Sequence, residues 1–324
     1  MKARIAAVAA IAGTLLAADA AEAYTVYVSN EKDNTISVID TATMTVTKTF
    51  KVGRRPRGLA VTPDGKYIVV CASDDHRIEA WDTTDYKLAR TLPSGPDPEL
   101  FAFSPDGKLM YVANEDDNLV TVVDMETNKK VTEIPVGVEP EGMAVSPDGK
   151  TVINTSETTN MIHFIDAATQ KITDNVLVDA RPRFAEFSSD GAKLWTSAEV
   201  GGTVTVIDPK TKQVLKRIEF NVPGLNKEAI QPVGIRITKN GKRVFVALGP
   251  ANRVAVINGD TYEVEKYLLV GQRVWQLAFT PDEKMLFSTN GASGDVSVID
   301  VDALRVTKSI KVGRLPWGVW VKPE

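Results

Sequence analysis

The chain has 324 residues with 38 basic and 42 acidic side chains, and its net charge of −4 gives no indication of nucleic acid binding. The single cysteine excludes an internal disulfide, and with only two histidines the chain lacks the ligands for a metal site built mainly from histidine and cysteine. The hydrophobic content of 43% is sufficient for a packed core.

The first 23 residues have the features of a secretory signal peptide. Lys2 and Arg4 precede an apolar run over 5–18, and Ala21-Glu22-Ala23 places small residues at a cleavage site. The run is short for a membrane span, and an uncleaved anchor is the alternative. We therefore expect a periplasmic protein whose mature chain, 24–324, forms one domain that does not contact the membrane after cleavage.

A unit of 42 residues recurs along the mature chain. Each unit contains an aliphatic strand that ends in an acid or amide, at Asp40, Asp82, Asp124, Asp166, Asp208, Asn258 and Asp300. Successive positions are 42 residues apart, except for one step of 50. Repeats of this length that are rich in short strands are typical of β-propellers, so the sequence predicts an all-β fold.

A tight turn lies 24 positions after each of the first four closing acids. Three of these turns read Pro-Asp-Gly, at 63–65, 105–107 and 147–149, and variants follow at 189–191, 239–241 and 281–283. Aspartate bonds to its own backbone and glycine takes the positive φ that closes such a turn. The count of units predicts seven blades, the first over roughly 58–93.

The same spacing predicts how the ring closes. The C-terminal segment 318–322 supplies one strand, and the N-terminal segments 24–29, 35–40 and 46–52 supply the three strands that this blade lacks. We expect these segments to share the seventh blade as inner and outer strands, because each end would otherwise leave an unpaired sheet edge.

The histidines and the cysteine align with structural positions of the repeat. His76 aligns with Asn or Gly of the other units, at a turn that favours a left-handed backbone. His163 aligns with small or polar residues of an outer strand, and Cys71 with small residues of a packed strand. No haem attachment motif, zinc or copper spacing, nucleophile elbow, phosphate loop or calcium loop occurs. The sequence therefore predicts no catalytic residue and no metal site.

Two repeat positions vary in a way that structural positions do not. The residue after the proline of each loop into an inner strand reads Arg57, Glu99, Glu141, Arg183, Val233, Trp275 and Trp317 around the ring. The residue after each second strand reads Glu31, Ser73, Glu115, Glu157, Glu199, Gly249 and Gly291. Both positions lie on one face of a propeller, so we expect them to surround one mouth of the central channel.

This mouth has the composition of a binding surface. Trp275 and Trp317 offer stacking faces with Arg273 close by, and the arginines can grip carboxylates. The glutamates are suited to a cation or a basic partner. The alternative is that arginines and glutamates of neighbouring blades pair at an exposed rim, where each pair contributes about 0–1 kcal/mol and needs no ligand.

The step of 50 residues places eight extra residues within 220–232, in the connection into the fifth blade. This connection opens onto the same face. Lengthened loops on one face of a repeat fold often carry function, so we expect the segment to cover the mouth or to contact a partner, with a neutral insertion as the alternative.

Several segments resemble a known group of bacterial propellers. Tyr27-Val28-Ser29-Asn30 and Tyr111-Val112-Ala113-Asn114 resemble the Tyr-Val-Thr-Asn repeat of the YVTN family, and the segments 94–100, 136–142, 155–160, 179–184, 249–253 and 271–276 look like the propellers associated with PQQ-dependent catabolism (PQQ is pyrroloquinoline quinone). The resemblance implies an exported protein with a role in periplasmic alcohol oxidation, and it supplies no active site.

Three hypotheses follow for the mouth. The first is a non-catalytic binding protein for a small anionic aromatic ligand, with PQQ as the candidate cofactor, held by Trp275, Trp317, Arg57, Arg183 and Arg273. The second is a scaffold that docks a quinoprotein dehydrogenase, a cytochrome or an ABC-transporter component. The third is a lactonase-like hydrolase, for which the repeat alignment leaves no catalytic constellation.

Overall fold

The computed structural model describes residues 22–322, and these residues form seven four-stranded antiparallel sheets and no α-helix. The sheets are the blades of a seven-bladed β-propeller, as the sequence predicted. The predicted signal peptide lies outside the described residues except for Glu22 and Ala23. No helix among the described residues is long and apolar enough to span a membrane.

The strands of each blade follow one another from the channel outwards. The first strands are β4 (Pro56–Val61), β8 (Pro98–Phe103), β12 (Pro140–Val145), β16 (Pro182–Phe187), β20 (Ile235–Ile237), β24 (Val274–Phe279) and β28 (Pro316–Val321). The second strands are β1 (Thr25–Asn30), β5 (Tyr67–Ala72), β9 (Leu109–Asn114), β13 (Thr151–Ser156), β17 (Leu194–Ala198), β21 (Arg243–Ala247) and β25 (Met285–Asn290).

The outer half of each blade is built in the same order. The third strands are β2 (Thr35–Asp40), β6 (Arg77–Asp82), β10 (Leu119–Asp124), β14 (Met161–Asp166), β18 (Thr203–Ile207), β22 (Arg253–Asn258) and β26 (Asp295–Asp300). The fourth strands are β3 (Thr45–Lys51), β7 (Leu88–Leu92), β11 (Lys129–Pro135), β15 (Lys171–Leu177), β19 (Val214–Glu219), β23 (Val264–Leu269) and β27 (Arg305–Lys311). Short 3₁₀ turns occur at Ser73–Asp75 and Lys227–Ala229.

One sheet combines strands from both ends of the described chain. Its order is β28-β1-β2-β3, and β28 pairs with β1 in antiparallel register, with Tyr27 opposite Trp320 and Val28 opposite Val319. Because β28 and β1 pair with each other, this junction leaves no unpaired sheet edge of the kind that promotes aggregation.

The two landmarks of the repeat are both turns. The acid that closes each third strand accepts backbone hydrogen bonds from the residues after it, as when Ala42 N–H donates to Asp40 Oδ1 over 2.6 Å. In the turn after the first strand, Asp64 Oδ1 accepts from Lys66 N–H at 3.1 Å and Gly65 has φ of 72°. These local bonds fix the turns without tertiary help, which is why they recur in sequence.

The core lies between adjacent blades. The second and third strands are buried on both faces, so they read as near-continuous aliphatic runs, whereas the fourth strands are mostly exposed. At the centre the first strands approach each other closely. A Cβ on Gly58 would lie 2.4 Å from the Glu99 carbonyl oxygen, and one on Gly318 would lie 2.7 Å from the Arg57 carbonyl oxygen. Glycine at these two positions is therefore required by packing.

The loops into the first strands and the turns after the second strands meet at one end of the channel, which we call the mouth face. The Pro-Asp-Gly turns after the first strands lie at the other end, which we call the turn face. The two faces are separated only by the first strands, which have six residues each except for the three-residue β20.

Candidate functional site

Three equivalent positions of the repeat meet at the mouth face, and their charged members form what we call the mouth cluster. Two positions are those that the sequence predicted, and the third is the residue before the loop proline. The cluster contains eight carboxyl groups and five guanidinium groups, namely Glu31, Asp97, Glu99, Glu115, Glu139, Glu141, Glu157 and Glu199 with Arg55, Arg57, Arg181, Arg183 and Arg273.

The loops hold these side chains in place with an unusual backbone. Residues before the first strands take the left-handed conformation although they are not glycine, with φ of 51° at Arg55 and 47° at Asp97. The turn after the second strand supports them. Asn34 Oδ1 accepts from Arg55 N–H at 3.0 Å, and Asn118, Asn160 and Asn252 act in the same way in other blades. This cap compensates for the strain of a left-handed non-glycine residue.

His76 fills the same role in the first blade. Its backbone is left-handed, with φ of 51°, as the alignment with Asn and Gly predicted. The structure adds that His76 Nδ1 accepts the hydrogen bond of Asp97 N–H at 3.1 Å. The side chain is therefore an acceptor cap for the loop of the next blade.

Arg183 is the centre of one half of the mouth cluster. The residue is 5% exposed and its guanidinium contacts three carboxylates, with Glu141 at 2.8 Å, Glu157 at 2.9 Å and Glu199 at 3.4 Å. A cation that is surrounded in this way stays charged, and the three carboxylates depend on it because they are buried too. The pairing of arginines with glutamates of neighbouring blades, which was the alternative drawn from the sequence, is therefore present, but the pairs are buried and not exposed at a rim.

Arg57 and Arg55 organise the other half. Arg57 lies 2.8 Å from Glu99 and 3.7 Å from Glu141, and Arg55 lies 2.9 Å from Glu99 and 2.6 Å from Asp97. Glu99 is fully buried between the two arginines. Glu141 is shared with Arg183, so one continuous ionic network crosses the channel.

The tryptophans do not form the open stacking faces that the sequence predicted. Trp317 is 1% exposed, and the Arg57 guanidinium covers its ring at 4.4 Å. Trp275 is half-buried, with Arg273 at 4.5 Å and Arg183 at 5.9 Å from its ring centre. The prediction of an open face is wrong for Trp317, whose ring is buried under Arg57, whereas Trp275 stays partly exposed beside Arg273.

Carboxyl groups are in excess within the cluster. No arginine among residues 22–322 forms an ion pair with Glu115 or Glu139; Glu139 accepts a hydrogen bond from Thr158 instead. Burial, then the neighbouring Glu141 carboxylate, raises the pKa of Glu115. The same causes raise the pKa of Glu157 to about 8 and that of Glu99 well above its usual range. The mouth therefore favours an added positive charge.

Two overlapping groups of carboxylates have the geometry to hold a cation. Oxygen atoms of Asp97, Glu99 and Glu115 lie within 4.8 Å of one another, and so do those of Glu115, Glu139 and Glu157. Oxygen ligands of this kind suit hard cations such as Ca²⁺ or Mg²⁺, and they equally suit a lysine or arginine side chain.

The remaining candidates have structural roles. His163 is 6% exposed, accepts from Gly137 N–H through Nε2 at 2.9 Å and contacts Asn175 through Nδ1, and burial lowers its pKa. Cys71 is fully buried and burial raises its thiol pKa, so it is not a reactive thiolate. Arg314 pairs with Asp33 at the rim, 2.5 Å apart, and does not join the cluster.

The inserted segment lies where the sequence placed it, between β19 and β20. It borders a cavity of about 320 Å³, whose lining includes Phe220, Lys227, Glu228 and Ile230. Lys227 contacts Glu219 at 3.6 Å. The segment therefore adds a second, smaller concavity beside the mouth.

Sequence reasoning missed four charged residues of the cluster, Arg55, Asp97, Glu139 and Arg181. Their signal is present in the repeat, because all four precede the loop proline or its equivalent. Opposite charges also stand one repeat apart, as in Arg55 with Asp97 and Arg57 with Glu99. Since equivalent positions of adjacent blades are neighbours around a channel, such pairs are expected to meet.

Comparisons with known proteins agree with this fold. The sequence matches the family described as lactonase, 7-bladed beta-propeller, over residues 143–322, YNCE-like beta-propellers over 3–120 and the cytochrome D1 heme domain over 69–182. No curated protein matches.

Solved structures match over most of their length. A chain of hydrazine synthase from Kuenenia stuttgartiensis superposes with a TM-score of 0.79 at 23% identity, covering 90% of this chain and 99% of that one. A functionally unknown protein from Desulfotomaculum acetoxidans DSM 771 gives the same TM-score at 17% identity, covering 93% and 99%. At such identities the likeness extends to the fold alone.

Proposed function

We propose that this chain, which belongs to the lactonase, seven-bladed β-propeller family, is a non-catalytic member whose mouth cluster docks a positively charged surface of a partner protein. The observation that carries the proposal is the excess of carboxyl groups in the cluster. Glu115 and Glu139 lack an arginine partner within the described chain, and a lysine or arginine from outside would complete the network.

The physical advantage of this arrangement lies in association. An acidic mouth on a ring of rigid strands attracts a basic surface electrostatically. The paired arginines offset the repulsion between the carboxylates when no partner is bound. Because the buried half of the network is already satisfied, a partner has to desolvate only the outer carboxylates.

The identity of the partner is proposed from the sequence resemblance. We expect a component of a PQQ-dependent alcohol oxidation system in the periplasm, such as a quinoprotein dehydrogenase, its cytochrome or an ABC-transporter component. The signal peptide features of 1–23 support export to that compartment.

An anionic aromatic ligand such as PQQ is less well suited to this mouth. It would have to displace glutamates from Arg57 or Arg183, which leaves buried carboxylates without a cation. Trp317 offers it no exposed face. The half-buried Trp275 beside Arg273 is the one place where a flat anion has both a ring and a charge to contact.

The test is co-purification from a periplasmic extract with immobilised mature chain, 24–324. We expect a partner that is retained at low salt, is released as ionic strength rises, and is lost with the double variant Glu115→Gln and Glu139→Gln. A matched control, Glu126→Gln with Asp302→Asn, removes the same charge from exposed positions in turns after third strands, away from the mouth, and should retain the partner.

Two results would contradict the proposal. One is retention of the same partners by the mouth variant, and the other is the absence of any salt-sensitive partner. Titration with PQQ separates the ligand hypothesis, because stoichiometric binding that Trp275→Ala abolishes would favour a small anion over a protein.

Lactone hydrolysis is the second candidate, since the family match covers residues 143–322 and includes Glu157. A carboxyl group with a pKa of about 8 beside Arg181 and Arg183 has the properties of a general acid or base next to an anion-stabilising group. Turnover of a panel of γ- and δ-lactones that Glu157→Gln abolishes would establish this activity, whereas the docking proposal predicts no turnover.

A further inference from the structure

The central channel contains a cavity of about 770 Å³ at the end opposite the mouth cluster. Its lining begins one residue after the mouth positions on most first strands and ends at Pro63, Pro105, Pro147 and Pro281 of the turns, so the cavity opens on the turn face. This volume is within the range of sites that bind small molecules, roughly 300–1,000 Å³.

The walls of this cavity are mainly apolar. Aromatic and aliphatic side chains from several blades line it, including Leu100, Phe101, Phe103, Phe184, Phe279 and Trp320. Leu100, Phe101 and Phe103 are each half-buried although they belong to an inner strand. A chain that needed these residues only for packing would bury them, so the open cavity leaves apolar surface for a ligand to cover.

Two buried polar groups in the same lining lack partners. Gln276 is 4% exposed, and neither its Nε2 nor its Oε1 has a hydrogen-bond partner among residues 22–322. Trp317 is 1% exposed, and its Nε1–H is also unpaired within the described chain. Buried donors and acceptors of this kind are costly unless something bonds to them. Gln276 Oε1 can accept a hydrogen bond from a ligand, and Gln276 Nε2 and Trp317 Nε1 can each donate one.

Two charged groups in the walls of the cavity, Arg236 and Glu186, pair with each other. Arg236 lies 2.7 Å from Glu186, and Glu186 also accepts from Ile237 N–H at 2.9 Å. Lys239 donates to Glu283 from its backbone N–H at 2.7 Å and to the Pro281 carbonyl through Nζ. Lys239 and Glu283, the other charged residues of the lining, belong to the turns at the opening, so a charged group deeper in the cavity would lose its hydration without an unpaired opposite charge among the described residues.

We propose that this cavity, which we call the turn-face cavity, binds an uncharged and largely apolar small molecule that carries one hydroxyl or carbonyl oxygen. The apolar part contacts the aromatic walls, and the oxygen function bonds to Gln276 and the indole N–H of Trp317. The site is separate from the mouth cluster and does not depend on the docking function.

The test uses three probes that share one fluorophore, namely pyrene, 1-pyrenemethanol and 1-pyrenecarboxylate. Binding is followed by energy transfer from tryptophan, because Trp317 and Trp320 line the cavity. We expect saturable binding at one site per chain, with 1-pyrenemethanol about tenfold tighter than pyrene because it satisfies the unpaired groups, and with the carboxylate weakest.

Variants of lining residues connect the binding to this cavity. Gln276→Leu should reduce the preference for 1-pyrenemethanol over pyrene, since the amide donor and acceptor are gone while the Trp317 N–H and the apolar wall remain. Ala102→Trp should occupy part of the cavity and weaken the binding of all three probes; circular dichroism checks its fold, and Val145→Phe replaces it if it does not fold. Leu177→Ser, at a 68% exposed leucine of an outer strand, is the matched control and should change nothing.

Several results would overturn the proposal. They are binding that does not saturate, equal affinity of the three probes in the unmodified chain, or binding that Ala102→Trp leaves unchanged and Leu177→Ser weakens. Each would mean that water fills the channel and satisfies Gln276, and that the probes adhere to exposed apolar surface.

Discussion

The two ends of the central channel differ in the chemistry of the side chains that line them. The mouth cluster is an ionic network with carboxyl groups in excess, whereas the turn-face cavity is mainly apolar and open, with the unpaired polar atoms of Gln276 and Trp317 in its lining. Both are built by the same seven strands. On β8, Glu99 belongs to the ionic network and Phe103, four residues later, to the cavity wall.

The difference follows from the position of a residue along its first strand. Residues at its start lie where loops of adjacent blades converge, and there charges find partners one repeat away. Residues toward its end lie next to the turns of the turn face, and there side chains line the open cavity. Trp317 joins the two ends, because its ring lies under Arg57 while its indole N–H is unpaired beside the cavity.

Removal of the central cation should have the largest effect. Arg183→Met leaves Glu141, Glu157 and Glu199 buried without their shared partner, and we expect a loss of about 3–5 kcal/mol in the free energy of unfolding. Urea denaturation measures it. Arg217→Met, which removes one exposed ion pair to Asp179, should cost only about 0–1 kcal/mol. Equal losses would mean that the mouth network is no more than a set of surface pairs.

The excess of carboxyl groups predicts a pH effect. Because burial and Glu141 raise the pKa of Glu115, the folded state keeps this proton to higher pH than the unfolded state does. The protonated carboxyl therefore stabilises the fold below its ordinary pKa of 4.5, and this contribution is lost as the pH rises through the raised value.

The variant Glu115→Gln cannot lose this contribution. We expect it to match the unmodified chain in unfolding free energy at about pH 5 and to exceed it at about pH 8.5. Glu219→Gln, at a side chain that is 69% exposed, is the control and should show no such divergence. A variant that is less stable at the higher pH would mean that the charged Glu115 carboxylate stabilises the fold.

The backbone cap gives an intermediate effect. His76→Ala removes the acceptor for Asp97 N–H and places alanine in a left-handed conformation, so we expect a loss of about 1–2 kcal/mol. His76→Asn restores the residue that other blades use and should be close to neutral in thermal unfolding. If both variants lose the same stability, the histidine ring has a role beyond the cap.

The smallest effect is expected at the other end of the channel. Gln276→Leu removes two unpaired polar atoms from a buried side chain, and without a ligand it should stabilise the fold by about 1 kcal/mol. Chemical denaturation of the ligand-free protein measures this. A loss of stability would indicate that the amide is already satisfied, which weakens the contrast between the two ends.

Much of the fold could be predicted from the repeat, because the Asp and Pro-Asp-Gly turns are local structures whose spacing sets the blade length. The membership of Arg57, Glu99, Glu141 and Arg183 in one ring could also be predicted, since it follows from alignment of the units.

Burial and pairing could not be predicted in the same way. They depend on how closely the first strands approach, which Gly58 and Gly318 permit through contacts with neighbouring blades. The sequence also does not reveal that Arg57 covers the ring of Trp317, so an open stacking surface was expected there. The turn-face cavity also has no sequence signal, since residues such as Leu100 and Phe103 read as ordinary core.

The most direct test of the account is site-specific photo-crosslinking from the two faces. A benzophenone side chain replaces Val138, which is 41% exposed beside Glu139 on the mouth face, or Asn240, which is exposed on the turn face. In a periplasmic extract we predict that the mouth-face position cross-links a specific protein in a salt-sensitive manner and that the turn-face position does not. Cross-links to a protein from Asn240 alone would contradict the assignment of the mouth as the docking surface.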